Sequence, residues 1–204
     1  MNSRIENIVF DFGGVLIDLD FNRLLKAFKR IGFNDIESQL QTYERDGIFQ
    51  KYELGEMITD EFRMAIREKS NVTLTDSGID DLWNLMFVKI PSEKLDFILG
   101  LRNNYNVYLL SNTNSIHWNY ACKNAFNYKG FGIKDFFIKT FLSYEMHLAK
   151  PDKAIYERML YEAKLIPEKT LFIDDSETNC NMARQLGILA HHYHIGDKLE
   201  TVLT

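Results

Sequence analysis

Short apolar runs alternate with longer amphipathic stretches along most of this chain. Residues 8–10, 107–110, 140–142 and 171–173 are brief apolar runs, and residues 188–190 form a fifth. Each is too short for a helix and reads as a buried strand. Between them, apolar residues recur three and four positions apart, the period of one helical face. Leu95, Ile98 and Leu99 form one such face. Ile155, Met159, Leu160 and Ala163 form another. Met182, Ala183 and Leu186 form a third, with Gly187 as the stop. Strands alternating with helices predict an α/β fold built on a parallel sheet covered on both faces.

The alternation fails between about residues 21 and 91, where only the helical period is present. Phe21, Leu24, Leu25, Phe28 and Ile31 mark one stripe, ended by Gly32. Thr59 stands where a cap would open a helix carrying Phe62, Ala65 and Ile66. Leu82, Leu85 and Met86 suggest a third helix. The expected organisation is therefore a core of residues 1–18 and 92–204, interrupted after its first strand by a small all-helical cap of residues 19–91.

Composition narrows the class. With 204 residues and 46% hydrophobic residues, one large domain or a core with a modest insertion can be packed. Only three prolines occur, and no stretch is low in complexity. The net charge of -5 disfavours a nucleic-acid partner, because phosphate backbones attract basic surfaces. Two cysteines, Cys122 and Cys180, match no metal spacing and read as reduced thiols of a cytoplasmic protein. The first apolar run is cut by Asp11, so it is neither a signal-peptide core nor a membrane span. No sequence feature encodes an oligomeric state.

Four polar features follow the predicted strands, on the edge where open parallel sheets place their ligands. They are Asp11 with Gly13 and Gly14, then Ser111 with Asn112, then Lys150, and last Asp174 with Asp175. Singly, each has a plainer reading as a turn, cap or surface residue. Together, in this order, they suit phosphoryl transfer. A carboxylate that attacks phosphorus forms an acyl-phosphate, which water then hydrolyses. The anionic charges would repel unless a hard cation bridges them, and Mg²⁺ takes oxygen ligands. Asp11 with Asp174 or Asp175 supplies such ligands. Ser111 can donate to a phosphate oxygen, and Lys150 can neutralise the remaining charge. Gly13 and Gly14 allow a sharp turn whose amides approach the phosphate.

The motifs in their chain context resemble the haloacid dehalogenase superfamily. The run from Val9 to Leu16 resembles its first motif, Leu109 to Asn112 its second, Lys150-Pro151 its third and Phe172 to Asp175 its fourth. The resemblance implies a Rossmann-like core with a helical cap after the first strand. It makes Asp11 the nucleophile and a metal ligand. Gly13 is then a ligand through its carbonyl and Asp174 the third protein ligand, with Asp175 orienting a metal-bound water. It places Asn112 beside Ser111 on the phosphate, and implies a Mg²⁺-dependent phosphatase acting on a small phosphorylated molecule, with no membrane or nucleic-acid partner.

One departure is informative. Most phosphatases of this superfamily carry a second aspartate two positions after the nucleophile, as general acid. Here that residue is Gly13, which has no proton to transfer. Either the leaving group needs little help, or Asp18, Asp20 or the cap residue Glu53 supplies the proton, or turnover is weak or lost. The segment 11–20, with Tyr52 to Glu56, resembles a branch that includes a bacterial glucose-1-phosphate phosphatase, so a sugar phosphate is the favoured substrate. Tyr43, Phe49, Tyr52 and Glu53 are candidates to line the substrate pocket, and Glu53 is taken as substrate-binding. The alternatives are a metal-independent 2-haloacid dehalogenase, with Arg23 as its cap arginine, and a non-catalytic binding protein on the same scaffold. A receiver-type signalling module fits poorly, because its paired acids come early. His191, His192 and His194 are clustered near the last strand, but their spacing matches no metal motif.

Overall fold

The computed structural model describes residues 5–42 and 47–203. Five parallel strands form one sheet in the order β3-β2-β1-β4-β5. They are β1 (Asn7–Phe10), β2 (Asn106–Ser111), β3 (Lys139–Leu142), β4 (Thr170–Asp174) and β5 (Leu189–His192). The predicted strands are all present, with ends moved by one or two residues. The fifth begins after Ile188, which is buried beneath the sheet instead.

β1 lies at the centre, paired with β2 and β4 in the registers Asn7↔Asn106 and Asn7↔Thr170. Its four residues are all buried, which is why Ile8 to Phe10 read as continuously apolar, while the Asn7 side chain is paired with Thr170 and Asn106. Alternation still sorts the side chains. Ile8 and Phe10 join one core, with Val107 and Leu109 of β2. Val9 points to the other, with Tyr108, Leu110 and Phe172.

The insertion between β1 and β2 is helical. It holds α1 (Phe21–Arg30), α2 (Ile36–Thr42), α3 (Ile48–Glu53), α4 (Thr59–Lys69) and α5 (Asp76–Asn84), before α6 (Ser92–Leu101) returns to the sheet. The two chain passages that join it to the core run antiparallel. Asp18 exchanges backbone hydrogen bonds with Val88 and Lys89, and the Asp20 amide donates to the Met86 carbonyl at 2.7 Å. Asp20 also caps α1 by accepting from the Arg23 amide. Such a cap contributes about 1 kcal/mol. Each fully buried Leu24 or Phe28 contributes about 1.5–3 kcal/mol, so packing rather than capping holds this helix.

Two details of the insertion differ from the sequence reading. The cap position of α4 is Ile58, whose amide donates to Glu61; Thr59 instead turns its hydroxyl to Tyr52 and Ser115. α5 ends at Asn84, so Leu85 and Met86 lie beyond it, and its buried face is Ile79 and Trp83. The Trp83 ring stacks on Phe49 of α3 at 4.9 Å and on His117 of the core at 4.7 Å. One indole thus joins cap to core.

The remaining helices are α7 (Ser115–Tyr120), continued by a π-turn at Ala121–Ala125, α8 (Ile133–Phe136), α9 (Ser143–Met146), α10 (Lys153–Ala163) and α11 (Glu177–Gln185). Ile155, Tyr156 and Met159 of α10 and Ala183 of α11 cover the second face of the sheet.

Candidate active site

The ends of the strands bring the four predicted features together. Asp11 continues β1, its amide donating to Ile173 of β4 at 2.9 Å. Asp174 closes β4 and Ser111 closes β2. Asp11, Asp174 and Asp175 each present a carboxylate oxygen within 4.8 Å of the others. Lys150 reaches this cluster from the segment between α9 and α10. Its Nζ lies 2.7 Å from Asp11 Oδ1 and 2.6 Å from Asp174 Oδ2, with the lysine only 5% exposed.

The electrostatics follow from burial. An unpaired buried ammonium costs several kcal/mol, of order the desolvation of one ion. Burial works against the Lys150 charge, but Asp11 and Asp174 outweigh it and raise its pKa above the ordinary lysine value. Three carboxylates face this one cation. Burial pushes Asp11 up to about 7, with Lys150 pulling it down and Asp174 pushing it further up. Burial and Asp174 likewise raise Asp175, against Lys150. A cluster of hard oxygen donors with excess negative charge fits a divalent cation of the Mg²⁺ type.

Asp174 and Asp175 differ in what remains open. Asp174 is fully buried. Its Oδ1 accepts from the Ser176 amide and Asn179 Nδ2, and its Oδ2 from Lys150. Asp175 is part-exposed and lines a cavity together with Asp11, Gly13 and Ser111.

Two predicted phosphate donors have partners within the protein. The Asn112 carboxamide pairs with the backbone of Lys150, donating to its carbonyl and accepting from its amide, both at 2.9 Å. That side chain holds the lysine in place with its oxygen and one of its two N–H groups, while Asn112 also lines the cavity. The Gly14 amide donates to the Ile17 carbonyl at 3.0 Å, so it is not a phosphate donor. The sharp turn expected at Gly14 is present, and it needs glycine. Gly14 stands at φ +75°, and a Cβ there would lie 2.1 Å from Asp175 Oδ2. We predict that Gly14→Ala destabilises the fold by about 1–2 kcal/mol from the left-handed backbone alone. Displacement of Asp175 adds to that and weakens metal binding. Urea unfolding with and without Mg²⁺ measures both; a wild-type midpoint in the two conditions would contradict this.

The cavity above the carboxylates has a volume of about 330 Å³, the small end of the range for ligand sites. Its walls are Phe12, Leu19, Phe21, Leu24, Leu40, Trp83, Met86 and Phe87, with Glu53, Asn112, Thr113 and His117 as further polar members. Glu53 therefore lies where the sequence reading placed it. Tyr52 and Phe49 do not line the cavity; they are buried in cap packing, Tyr52 stacked on Phe62 at 4.2 Å. Tyr43 lies outside the described residues. Of the three alternative acids, Asp18 faces Lys94 at 3.9 Å and Asp20 caps α1, so Glu53 alone lines the cavity. Arg23 is exposed on α1 and is not among the cavity residues.

His117 was not anticipated. Its Nε2–H donates to the Trp83 carbonyl, which can only accept, so Nδ1 accepts from Asn114 Nδ2. Burial drives its pKa down to about 4, the Trp83 hydrogen bond opposing, so it is a neutral wall residue at pH 7. The histidine cluster is not brought together as a metal site. His192 lies between the Asp175 carbonyl at 3.0 Å and Glu177 at 2.8 Å, an acid that α11 supplies from a distance in sequence.

The haloacid dehalogenase-like hydrolase family matches this sequence over residues 5–187. The chain belongs to that family. A D-ribitol-5-phosphate phosphatase of Bacteroides thetaiotaomicron is 39% identical over 183 residues, which cover 90% of this chain and 89% of that protein. A haloacid dehalogenase-family enzyme of the same species, solved in complex with magnesium and inorganic phosphate, superposes with a TM-score of 0.93. It is 46% identical, over 98% of this chain and 100% of that one. A haloacid dehalogenase-like hydrolase of Porphyromonas gingivalis is 35% identical with a TM-score of 0.89, covering 97% and 96% of the two chains. The Rossmann-like core and inserted cap are thus those of this hydrolase family.

Proposed function

We propose that this hydrolase is a Mg²⁺-dependent phosphatase that hydrolyses a small sugar phosphate through an aspartyl-phosphate on Asp11. The observation that carries the reading is the convergence of Asp11, Asp174 and Asp175 around Lys150 at the strand ends. The similar D-ribitol-5-phosphate phosphatase and the magnesium and phosphate complex of the similar enzyme support it.

Asp11, Asp175 and the Gly13 carbonyl would hold the ion, which supplies charge neutralisation between nucleophile and phosphate. Asp175 is placed ahead of Asp174 as ligand, because the oxygens of Asp174 are occupied within the protein. The Asp11 carboxylate attacks phosphorus, the ester P–O bond breaks, and the departing oxygen takes a proton from water, Gly13 having none to give. Water then attacks phosphorus, the Asp11–phosphorus bond breaks, and inorganic phosphate leaves. Lys150 fixes the unreacting Asp11 oxygen so that the other faces the substrate. Ser111 donates its hydroxyl to a phosphate oxygen. A metal-independent dehalogenase is disfavoured by this carboxylate cluster and by the exposed position of Arg23.

The cap boundaries at residues 19 and 91 belong to the same proposal, supported by the antiparallel pairing of the two connecting passages. So does a cytoplasmic location; no helix among the described residues is long and apolar enough to cross a membrane.

Phosphate release from sugar and polyol phosphates and from acetyl phosphate is expected to need Mg²⁺. Chelator should lower it at least ~100-fold, the equivalent of several kcal/mol of charge stabilisation. Equal release in chelator would refute the metal site. The two adjacent acids should separate in variants. Asp175→Asn is expected to raise the Mg²⁺ concentration for half-maximal activity. Asp174→Asn is expected to cost about 1–3 kcal/mol of stability, because its amide nitrogen must face either Lys150 or the Ser176 and Asn179 donors. The reverse pattern, in titration and urea unfolding, would return the ligand role to Asp174.

A further inference from the structure

Ser143, the first residue of α9, is fully buried just beyond the end of β3. Its hydroxyl accepts from the Thr113 amide at 2.9 Å and donates to the Glu53 carbonyl at 2.6 Å; the Thr113 carbonyl, at 2.9 Å, is a longer alternative acceptor. Glu53 and Thr113 both line the cavity that holds Asp11. One buried hydroxyl therefore ties a cavity residue of the cap to a cavity residue of the core.

The rest of the corner is seated on the same part of the core. His147 Nδ1 donates to the Leu54 carbonyl at 2.9 Å. Gly55 stands at φ +67°, and a Cβ there would lie 2.1 Å from the Tyr144 carbonyl oxygen. The backbone at Glu53 is thus fixed by contacts to α9 and its C-terminal end, and not only by its own helix.

We propose that Ser143 is a positioning residue for substrate selection. It sets Glu53 over the cavity so that the carboxylate accepts hydrogen bonds from hydroxyl groups on the sugar or polyol part of the substrate. The inference rests on the phosphatase reading and adds to it the group that recognises the alcohol half. A carboxylate suits that task, because hydroxyls donate and a charged acceptor strengthens the bond. The neighbouring walls Leu19, Leu24, Met86 and Phe87 sharpen it, since a hydroxyl buried there without a partner is disfavoured.

The test compares kcat/KM on D-ribitol 5-phosphate with kcat/KM on acetyl phosphate, which has no hydroxyl to reach Glu53. Ser143→Ala is expected to lower that ratio about 10-fold through KM, in line with loss of a hydrogen bond to a charged group. Ser143→Thr keeps the hydroxyl and is expected to recover the ratio. In a Glu53→Ala background, which removes the acceptor, Ser143→Ala should lower the ratio no further, because both changes remove one interaction. An unchanged ratio in Ser143→Ala, equal losses on both substrates, or additive losses in the double variant would overturn the assignment. Absence of release from either substrate by the unmodified protein would overturn the phosphatase reading itself, and no variant is needed to see it.

Discussion

Asp11→Asn is expected to lower phosphate release at least ~1,000-fold, the scale on which loss of a catalytic nucleophile is felt. The amide has no anionic oxygen to attack phosphorus, yet it matches the carboxylate in volume. Lys150 keeps Asp174 at 2.6 Å, so no buried ammonium is stranded. The fold should therefore survive, and its pH dependence should change in a defined direction. Burial raises Asp11 to about 7 in the folded protein, against about 3.9 for an unperturbed aspartate. Between these values the folded chain binds more protons than the unfolded one, so stability falls as pH rises. The contribution is fully present below about 4 and lost once pH passes about 7. In chelator, melting curves of the unmodified protein should gain stability relative to Asp11→Asn as pH is lowered from 7 to 5. Turnover retained by Asp11→Asn, or parallel melting temperatures across that range, would overturn the nucleophile assignment or its environment respectively.

The sheet and the reactive edge were legible because each rests on local signals. β1 is buried on both faces and is apolar from Ile8 to Phe10, so the polar residue that follows stands out. The same holds for Ser111 and for the acids after β4. What was not legible depends on contacts between distant segments. Asp174 and Asp175 are chemically identical neighbours, and only the placement of Lys150, Ser176 and Asn179 shows that the first is enclosed and the second open. Asn112 reads only as a phosphate donor, and its second task, holding the Lys150 backbone from 38 positions away, shows in the structure alone. The helical stripe of Leu82, Leu85 and Met86 leaves Trp83 out, because its partners Phe49 and His117 belong to a cap helix and a core helix. Ser143 carries no motif at all; its significance lies in the two cavity residues it joins. Gly14 reads as a sharp-turn glycine with its amide toward the phosphate; its positive φ fits the turn, while its amide goes to Ile17 and its missing Cβ clears Asp175.

Gly13→Asp is expected to raise kcat on D-ribitol 5-phosphate by at least ~100-fold relative to acetyl phosphate, the lower range for a positioned general acid. The 5-phosphate of an alditol departs as a primary alkoxide and needs a proton, whereas acetyl phosphate departs as a carboxylate and does not. In this chain the position two after the nucleophile cannot give one. The backbone there accepts a side chain. Gly13 is absent from the glycines at positive φ, and its nearest neighbour to an added Cβ is the flexible end of Leu19, at 3.2 Å. Gly13 also lines the cavity, so a carboxyl group built on it would stand beside the reacting ester. Asp11 and Asp175 nearby disfavour a further negative charge, which holds the new group protonated, as an acid requires. Gly13→Ala separates the effect of bulk from that of the proton, and is expected to show no such gain. If Gly13→Asp and Gly13→Ala change the two substrates alike, proton delivery is not what limits the unmodified enzyme. The leaving oxygen is then served from the cap side of the cavity, where Glu53 stands.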